Sequence, residues 1–318
     1  MPPDPYLHER SDFSELVRIV AGERGLLPAL VEKDYWIMHC LYGLSAQGFS
    51  FELKGGTSLS KGFGIIHRFS EDIDIRINPA CAPFDVFSSP NQTKKARHIE
   101  SRKKFYDWLT DTIQITGIIN IVRDHAFDDG KYRSGGIRLR YATSFDNPAG
   151  FKEGILLEVG FDDTQPNISR TISSWAFDRA SETDIAITDN RAIDVLCYHP
   201  GYTFVEKLQT VSTKFRQQQN NDEIPPNFLR HYYDISRLLN HPEVIAFIGT
   251  PEYQERKKQR FRKDDNLIIA NNEAFLLSDT KTMKQYTIAF QATASLYFDK
   301  QISFHDILEK IQKHIGKL

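Results

Sequence analysis

The chain has 318 residues, of which 26% are charged and 40% hydrophobic, and its formal net charge is −2. These values are typical of a soluble globular enzyme with room for two domains, and they exclude a uniformly basic nucleic-acid coat but not a local basic patch. Three widely spaced cysteines without CxxC spacing favour a reducing compartment over a disulfide framework or a zinc site. Because the sequence has neither a signal-peptide pattern nor about 18 consecutive apolar residues, we expect a cytoplasmic protein without a membrane span.

Helices are predicted over residues 11–44. Ser11 and Asp12 are good N-caps, and Pro28 suits the first turn of a second helix. Apolar side chains then recur at helical spacing, which predicts a buried face. These side chains are Leu30, Val31, Ile37, Met38, Leu41 and Leu44.

A strand with alternating apolar residues, Phe49, Phe51 and Leu53, is predicted to end at a turn of small residues. The turn consists of Gly55, Gly56, Thr57 and Ser58. Glycine has no Cβ, so such a turn lets backbone N–H groups and hydroxyls approach a phosphate closely. A short helix is predicted next, over about 58–66. Its Lys61 either reaches a β- or γ-phosphate or is an ordinary solvated lysine, and the sequence favours neither interpretation.

Asp72 and Asp74 lie in a segment that alternates with isoleucines, residues 72–77. Period-two geometry places Asp72, Asp74 and Arg76 on one strand face and the isoleucines on the other. Two carboxylates on one face repel each other unless a cation lies between them, and Mg²⁺ carrying a triphosphate is the usual solution. A lone Asp-x-Asp is more often a solvated strand end. Together with the preceding glycine turn, however, it predicts nucleotide chemistry.

One helix and three strands are predicted next, over residues 101–113, 118–122, 136–141 and 155–159. The third strand carries Glu158 among apolar residues, where a carboxylate requires a cationic partner. One interpretation is a salt bridge to Arg138 or Arg140. The other is a metal site shared with Asp72 and Asp74, in which three acids could hold two ions.

From about Thr203 the pattern becomes helical, and a polar run at 216–221 is predicted to be a loop or a mobile hairpin. The segment 256–263 contains six cations and one aromatic residue, so it either docks RNA or forms a solvated helix face. We therefore predict an α/β (α+β) protein. It has an N-terminal domain over residues 1–200, with a mixed β-sheet flanked by helices, and a helical C-terminal domain over 201–318.

Several of these segments resemble one known family. Residues 54–61 (KGGTSLSK) and 68–74 (RFSEDID) are similar to the first motif of the AbiEii/AbiGii-type nucleotidyltransferase toxins. These toxins belong to the DNA-polymerase-β-like nucleotidyltransferase superfamily and include the MenT toxins. Residues 32–36, 206–208 and 230–235 are similar to three further stretches of the same family, in family order.

The resemblance implies that the N-terminal domain is a nucleotidyltransferase core. It would transfer a nucleoside monophosphate from an NTP to an acceptor, and pyrophosphate would leave. In the studied toxins the acceptor is the 3′ end of tRNA, so NTP and tRNA or another RNA are the implied partners. An AbiEi-like antitoxin of a type IV system, with a role in phage defence, is implied as well.

The resemblance also implies roles for individual residues. Asp72 and Asp74 would bind one or two Mg²⁺ ions with Glu158 as the third acid. Lys207 would steady the triphosphate, and Asp234 would either orient Lys207 or serve as a general base. The β- and γ-phosphates would be cradled by Gly55, Gly56, Thr57 and Ser58, with a contribution from Lys61.

Two other functions compete with this one. The first is nucleotidyl transfer to a small molecule or a protein hydroxyl, for which a closed polar pocket rather than a basic groove is expected. The second is a non-catalytic nucleotide-binding module, against which the intact pair of Asp72 and Asp74 counts.

Overall fold

The computed structural model describes residues 3–92, 94–147, 151–221, 223–225, 227–298 and 302–318, and within these residues it contains twelve α-helices and seven strands. The helices are α1 (Phe13–Arg24), α2 (Pro28–Ala46), α3 (Gly55–Thr57), α4 (Ala96–Thr112), α5 (Trp175–Ser181), α6 (Pro200–Asn221), α7 (Arg230–Leu238), α8 (Pro242–Phe247), α9 (Pro251–Arg260), α10 (Glu273–Leu276), α11 (Thr280–Gln291) and α12 (Phe304–His314). The strands are β1 (Phe51–Lys54), β2 (Asp72–Ile77), β3 (Ile118–Asp124), β4 (Ser134–Tyr141), β5 (Ile155–Gly160), β6 (Asn167–Ile172) and β7 (Ala192–Tyr198). The predicted α/β class is confirmed.

The strands form one mixed sheet in the order β3-β4-β5-β2-β1-β7-β6. The pairs β2–β5 and β1–β7 are parallel, and the other neighbouring strands are antiparallel. The sequence patterns do not predict β6 and β7. In β7, Asp194 has a positive φ of 56°, which interrupts the period-two alternation from which a strand is recognised.

The predicted strand around the paired aspartates is confirmed as β2. Its Ile73, Ile75 and Ile77 are fully buried, whereas Asp72 and Asp74 alternate with them and are partly exposed. Neighbouring β5 is apolar and buried on both faces except at Glu158, as expected of a central strand. The centre of the sheet therefore presents its acids on one face.

Helix α2 begins at Pro28, as predicted, and most of its length is buried. Three consecutive charged residues on it, Glu32, Lys33 and Asp34, are each no more than 2% exposed. Buried charges require partners. Glu32 accepts hydrogen bonds from Thr143 Oγ1 at 2.6 Å and from the backbone N–H of Ser144 at 2.9 Å. Glu32 thus ties this helix to the segment that follows β4.

The described chain divides into two compact units. The first comprises Met1–Phe63 and Phe69–Tyr198, and the second comprises Gly64–Arg68 and His199–Leu318. The first unit contains the sheet, and the second contains α6 to α12. Residues 64–68 lie inside the first predicted domain in sequence but belong to the helical unit. None of the described helices is long and apolar enough to cross a membrane.

The prediction of a loop or hairpin at 216–221 is wrong, because α6 continues through these residues to Asn221. Glutamine is a good helix former, and tertiary contacts stabilise this part of the helix. Gln218 is buried and its Oε1 accepts a hydrogen bond from Tyr286 at 3.1 Å, while Arg216 Nε lies 3.0 Å from Asp265 Oδ1. Polarity alone therefore misidentified a helix whose polar side chains have buried partners.

The basic segment 256–263 is not a uniformly solvated helix face. Arg256 and Lys257, both on α9, are buried. Arg256 Nη2 lies 2.9 Å from Glu206 Oε1, and Lys257 Nζ donates to the backbone carbonyl of Leu318. These two cations serve the packing of the second unit, which leaves the exposed members, such as Lys258, for any contact with phosphate.

Candidate active site

A row of charged residues crosses the centre of the sheet. Asp74 in β2 is the register partner of Lys54 in β1 and of Glu158 in β5. Side chains that face each other across neighbouring strands lie on the same face of a sheet, and Asp72, two residues earlier in β2, shares that face. The fold thus brings together the three acids that the sequence singled out, with a lysine at the end of their row.

The glycine turn lies directly against Asp74. Gly55 follows β1 with φ +71°, a conformation that L side chains rarely adopt. A Cβ on Gly55 would lie 2.0 Å from Asp74 Oδ2, so no other residue fits at this position without displacing the carboxylate. The turn and the acid pair, recognised separately in the sequence, therefore form one site.

The remaining turn residues are buried. Thr57 Oγ1 donates to the backbone carbonyl of Asp72 at 2.5 Å, which ties the turn to the acid strand. Ser58 is fully buried. Gly56, Thr57 and Ser58 belong to α3 and to the π-helix Ser58–Gly62 that continues it, so the predicted short helix starts earlier and ends earlier than expected.

We expect Gly55→Ala to lower nucleotide transfer more than about tenfold, because the new methyl group must displace the Asp74 carboxylate in addition to straining the backbone. The matched control is Gly25→Ala. Gly25 has a similar φ of +65° but no atom within 4 Å of the Cβ position. This control should lose only about 1 kcal/mol of stability and keep full transfer. Equal loss of transfer in the two variants would show that strain alone explains the effect.

Glu158 has an electrostatic environment unlike that of a surface acid. Burial, followed by the charge of Asp74, raises the pKa of Glu158 to about 7, while Lys54 acts in the opposite direction. Of the two interpretations of Glu158, a salt bridge to Arg138 or Arg140 does not match the partners of these arginines. Arg138 pairs with Asp124, and Arg140 Nη2 lies 3.6 Å from Glu153 Oε2. The charges that act most strongly on Glu158 are therefore those of Asp74, Lys54 and Asp72.

The structure adds a cation that the sequence patterns do not reveal. Lys152 Nζ lies 2.6 Å from Asp72 Oδ2. The other carboxylate oxygen, Asp72 Oδ1, is buried and accepts no hydrogen bond from the described residues. A buried oxygen without a donor is costly and calls for an explanation, and a bound cation is one that suits a carboxylate oxygen. Asp72 Oδ2 thus has a cationic partner, whereas Asp72 Oδ1 has no hydrogen-bond donor among the described residues.

Lys61 lies near the end of the π-helix Ser58–Gly62 that follows the glycine turn, and it forms an ion pair with Asp34. Its Nζ lies 2.7 Å from Asp34 Oδ1 on α2 and 5.1 Å from the centroid of the Trp175 ring. Asp34 Oδ2 also accepts a hydrogen bond from the backbone N–H of Trp175 at 2.9 Å. Lys61 is therefore not an ordinary solvated surface lysine. It connects the π-helix Ser58–Gly62 to α2 and α5.

The remaining predicted residues meet in the second unit. Asp234 on α7 is fully buried and accepts two hydrogen bonds from Arg68, each 2.7 Å long. Lys207 Nζ on α6 lies 2.8 Å from Asp234 Oδ2. Burial alone would raise the pKa of Asp234, but the charges of Arg68 and Lys207 hold it well below its usual range. The sequence motif 68–74 includes Arg68 but gives this residue no role. No local pattern could have indicated its partner Asp234, which lies 166 residues away.

The donor atoms at Asp72 and Asp74 suit a hard divalent cation, since Mg²⁺ prefers carboxylate oxygens and Asp72 Oδ1 has no other partner. Among the described residues, however, no group of three acidic, histidine or cysteine side chains is arranged to hold one ion. A site with Asp72, Asp74 and Glu158 as ligands thus stays a prediction.

Comparison with known proteins identifies the class. The family model for the AbiEii nucleotidyl transferase toxin of type IV toxin–antitoxin systems matches residues 39–310. The chain therefore belongs to the AbiEii family and is a nucleotidyltransferase toxin.

No match was found among curated proteins. Among solved structures, the fold is similar to that of MenT4, a nucleotidyltransferase toxin from Mycobacterium tuberculosis, with a TM-score of 0.50 and 16% sequence identity. The similarity covers 95% of this chain and 90% of that one. At this identity the comparison shows a shared fold.

Proposed function

We propose that the chain transfers a nucleoside monophosphate from an NTP to the 3′ end of tRNA in a Mg²⁺-dependent reaction. The single observation that carries the transfer chemistry is the contact between the glycine turn and the acids, in which the Asp74 carboxylate lies so close to Gly55 that a Cβ there would be 2.0 Å from Asp74 Oδ2. A phosphate held by the turn would lie beside the carboxylates that hold the metal. The tRNA acceptor follows from the family resemblance.

In this proposal Asp72 and Asp74 hold Mg²⁺, with Glu158 beside them. When bound, the metal neutralises charge on the triphosphate and lowers the pKa of the attacking hydroxyl. Residues of the chain supply the rest. The backbone N–H groups after Gly55 orient the β- and γ-phosphates, and Lys54, the register partner of Asp74, adds positive charge near them.

Asp234 is proposed to orient Lys207 rather than to act as a general base. A general base must take up a proton near neutral pH, so its pKa must lie near that range. The pKa of Asp234 is held far below it because two cations, Arg68 and Lys207, pair with the carboxylate. The same pairing fixes the Lys207 ammonium, which the family resemblance assigns to the triphosphate.

The test is to incubate the purified protein with total tRNA and each of the four labelled NTPs, with Mg²⁺ or with EDTA. Labelled tRNA is expected with at least one NTP, and EDTA should remove the labelling because the carboxylates cannot replace the metal. A parallel reaction without tRNA identifies labelling of the protein itself. Labelling that persists in EDTA would contradict the metal, and labelling of protein but not of tRNA would contradict the acceptor.

An antitoxin partner follows from membership of a type IV toxin–antitoxin family. We propose that it is an AbiEi-like protein and that the toxin acts in the cytoplasm, where NTPs and tRNA are available. A role in defence against phage is part of the same proposal.

A further inference from the structure

Lys152 contacts one of the two aspartates of the proposed metal site. Its ammonium group lies 2.6 Å from Asp72 Oδ2 and 4.8 Å from the centroid of the Phe127 ring. The side chain remains 29% exposed. This cation therefore occupies the very carboxylate on which the proposed metal depends, and solvent can still reach it.

The backbone of Lys152 is held on both sides by the ion pair of Lys33 and Glu71, of which the lysine is buried. Its N–H donates to Glu71 Oε2 at 3.0 Å, and its carbonyl accepts a hydrogen bond from Lys33 Nζ at 2.6 Å. Lys33 Nζ also lies 3.0 Å from the same Glu71 oxygen, and the Lys33 side chain is only 2% exposed. Burying a lysine is costly unless it is paired and hydrogen-bonded. The backbone position of Lys152 is therefore fixed by the fold rather than set by a surface loop.

A fixed backbone and a mobile side chain allow the ammonium group to change partners. If a divalent cation binds Asp72, the ammonium group at Asp72 Oδ2 would be repelled strongly, because like charges a few ångströms apart interact by several kcal/mol near a protein surface. The lysine side chain is flexible and carries three donors. An NTP bound together with the metal would bring phosphate oxygens as new anionic partners for this ammonium group.

We propose, on the basis of the proposed function, that Lys152 is a substrate-binding residue whose ammonium group changes its anionic partner. It pairs with Asp72 in the nucleotide-free enzyme and with a phosphate oxygen of the bound NTP once the metal occupies Asp72. Glu71 and Lys33 are its positioning residues. The exchange keeps Asp72 neutralised before substrate arrives and supplies a positive charge to the triphosphate afterwards.

The test compares Lys152→Gln with the wild-type protein in two binding measurements. In the absence of nucleotide, we expect Lys152→Gln to bind Mn²⁺ about tenfold more tightly, because a competing cation has been removed. With saturating Mn²⁺, we expect it to bind a non-hydrolysable NTP analogue about tenfold more weakly, because a charge-assisted hydrogen bond is lost. Lys152→Arg should restore most of the nucleotide affinity, since it keeps the charge.

These opposite changes distinguish exchange from a structural role. A general loss of folding would weaken both ligands, and thermal unfolding checks for it. Lys103→Gln is the matched control, because Lys103 is partly exposed on α4 and pairs only with its helix neighbour Asp107 among the described residues. It should change neither affinity. Mn²⁺ binding that is unchanged or weaker in Lys152→Gln, or nucleotide binding that is unchanged, would overturn the proposal.

The same measurements separate this proposal from the proposed function. If the wild-type protein binds no Mn²⁺, the metal site itself is wrong and the exchange is wrong with it. If the wild-type protein binds Mn²⁺ and labels tRNA while Lys152→Gln behaves like wild type, only the exchange is wrong.

Discussion

Replacing Asp74 with asparagine is expected to abolish nucleotide transfer, with a fall of at least about a thousandfold, because a bound metal contributes several kcal/mol of transition-state stabilisation. Asparagine keeps the size of the side chain next to Gly55 but removes the charge that would hold the metal. Asp72→Asn should have an effect of the same order, since Asp72 shares the strand face. The measurement is labelling of tRNA with the preferred NTP at saturating Mg²⁺.

The control for these variants is Asp111→Asn, at an exposed position on α4. It removes the same charge from the surface and should leave transfer unchanged. Thermal unfolding of all three variants should remain close to that of the wild-type protein, because Asp72 and Asp74 are partly exposed. Transfer that survives both Asp72→Asn and Asp74→Asn would remove the basis for the proposed metal site.

The largest loss of stability is expected at Asp234. Asp234→Asn leaves the guanidinium of Arg68 and the ammonium of Lys207 buried without a compensating charge. Breaking a buried ion pair from one side costs about 3–5 kcal/mol. We therefore expect a large fall in the urea concentration at which the second unit unfolds at pH 7, and a loss of transfer because Lys207 is no longer oriented.

The pH dependence of this effect has a defined sign. The pKa of Asp234 is lower in the folded than in the unfolded chain, so its ionised form stabilises the fold at all pH values above the unfolded pKa of about 4. Below that value the contribution falls as pH approaches the folded pKa. The difference in urea midpoint between wild type and Asp234→Asn should therefore be constant from pH 5 to 7 and shrink in more acidic solution.

The matched control is Asp107→Asn, which removes a partly exposed aspartate (41% of its side chain is exposed) paired with Lys103 and Arg123. Exposed pairs contribute at most about 1 kcal/mol, so its midpoint should move little at any pH. A midpoint for Asp234→Asn equal to that of wild type at pH 7 would show that the buried carboxylate is not required for stability. A difference that does not shrink in acid would show that its charge is not the cause.

The sequence predicts the parts of the site that depend on local patterns. Alternation over residues 72–77 is enough to place Asp72 and Asp74 on one strand face, and Gly55 is recognisable because a tight turn needs a residue without a Cβ. Both features involve neighbours in the chain. Most of the longer helices and the strands β1 to β5 are predictable for the same reason, since their periodicity is local, whereas the short helices α5, α8 and α10 are not.

The remaining features of the candidate site depend on contacts between residues far apart in the chain, and a single sequence does not reveal these contacts. The contact of Lys152 with Asp72 spans 80 residues, and that of Arg68 with Asp234 spans 166. The salt bridge of Glu158 to Arg138, one of the two interpretations left open by the sequence, does not form because strand register places Gly136 opposite Glu158 and Arg138 opposite Leu156. A shift of two residues would have reversed that outcome, and composition does not determine register.

Helix α2 carries none of the proposed ligands, yet its Glu32, Lys33 and Asp34 contact three separate segments. Consecutive helix residues point about 100° apart, so each of the three is directed to a different side. Inserting one residue just before Glu32 would rotate all three charges together by that angle and detach every partner at once. The rotational position of this one helix thus sets the contacts of three segments together, those of Thr143, of Lys152 with Glu71, and of Lys61.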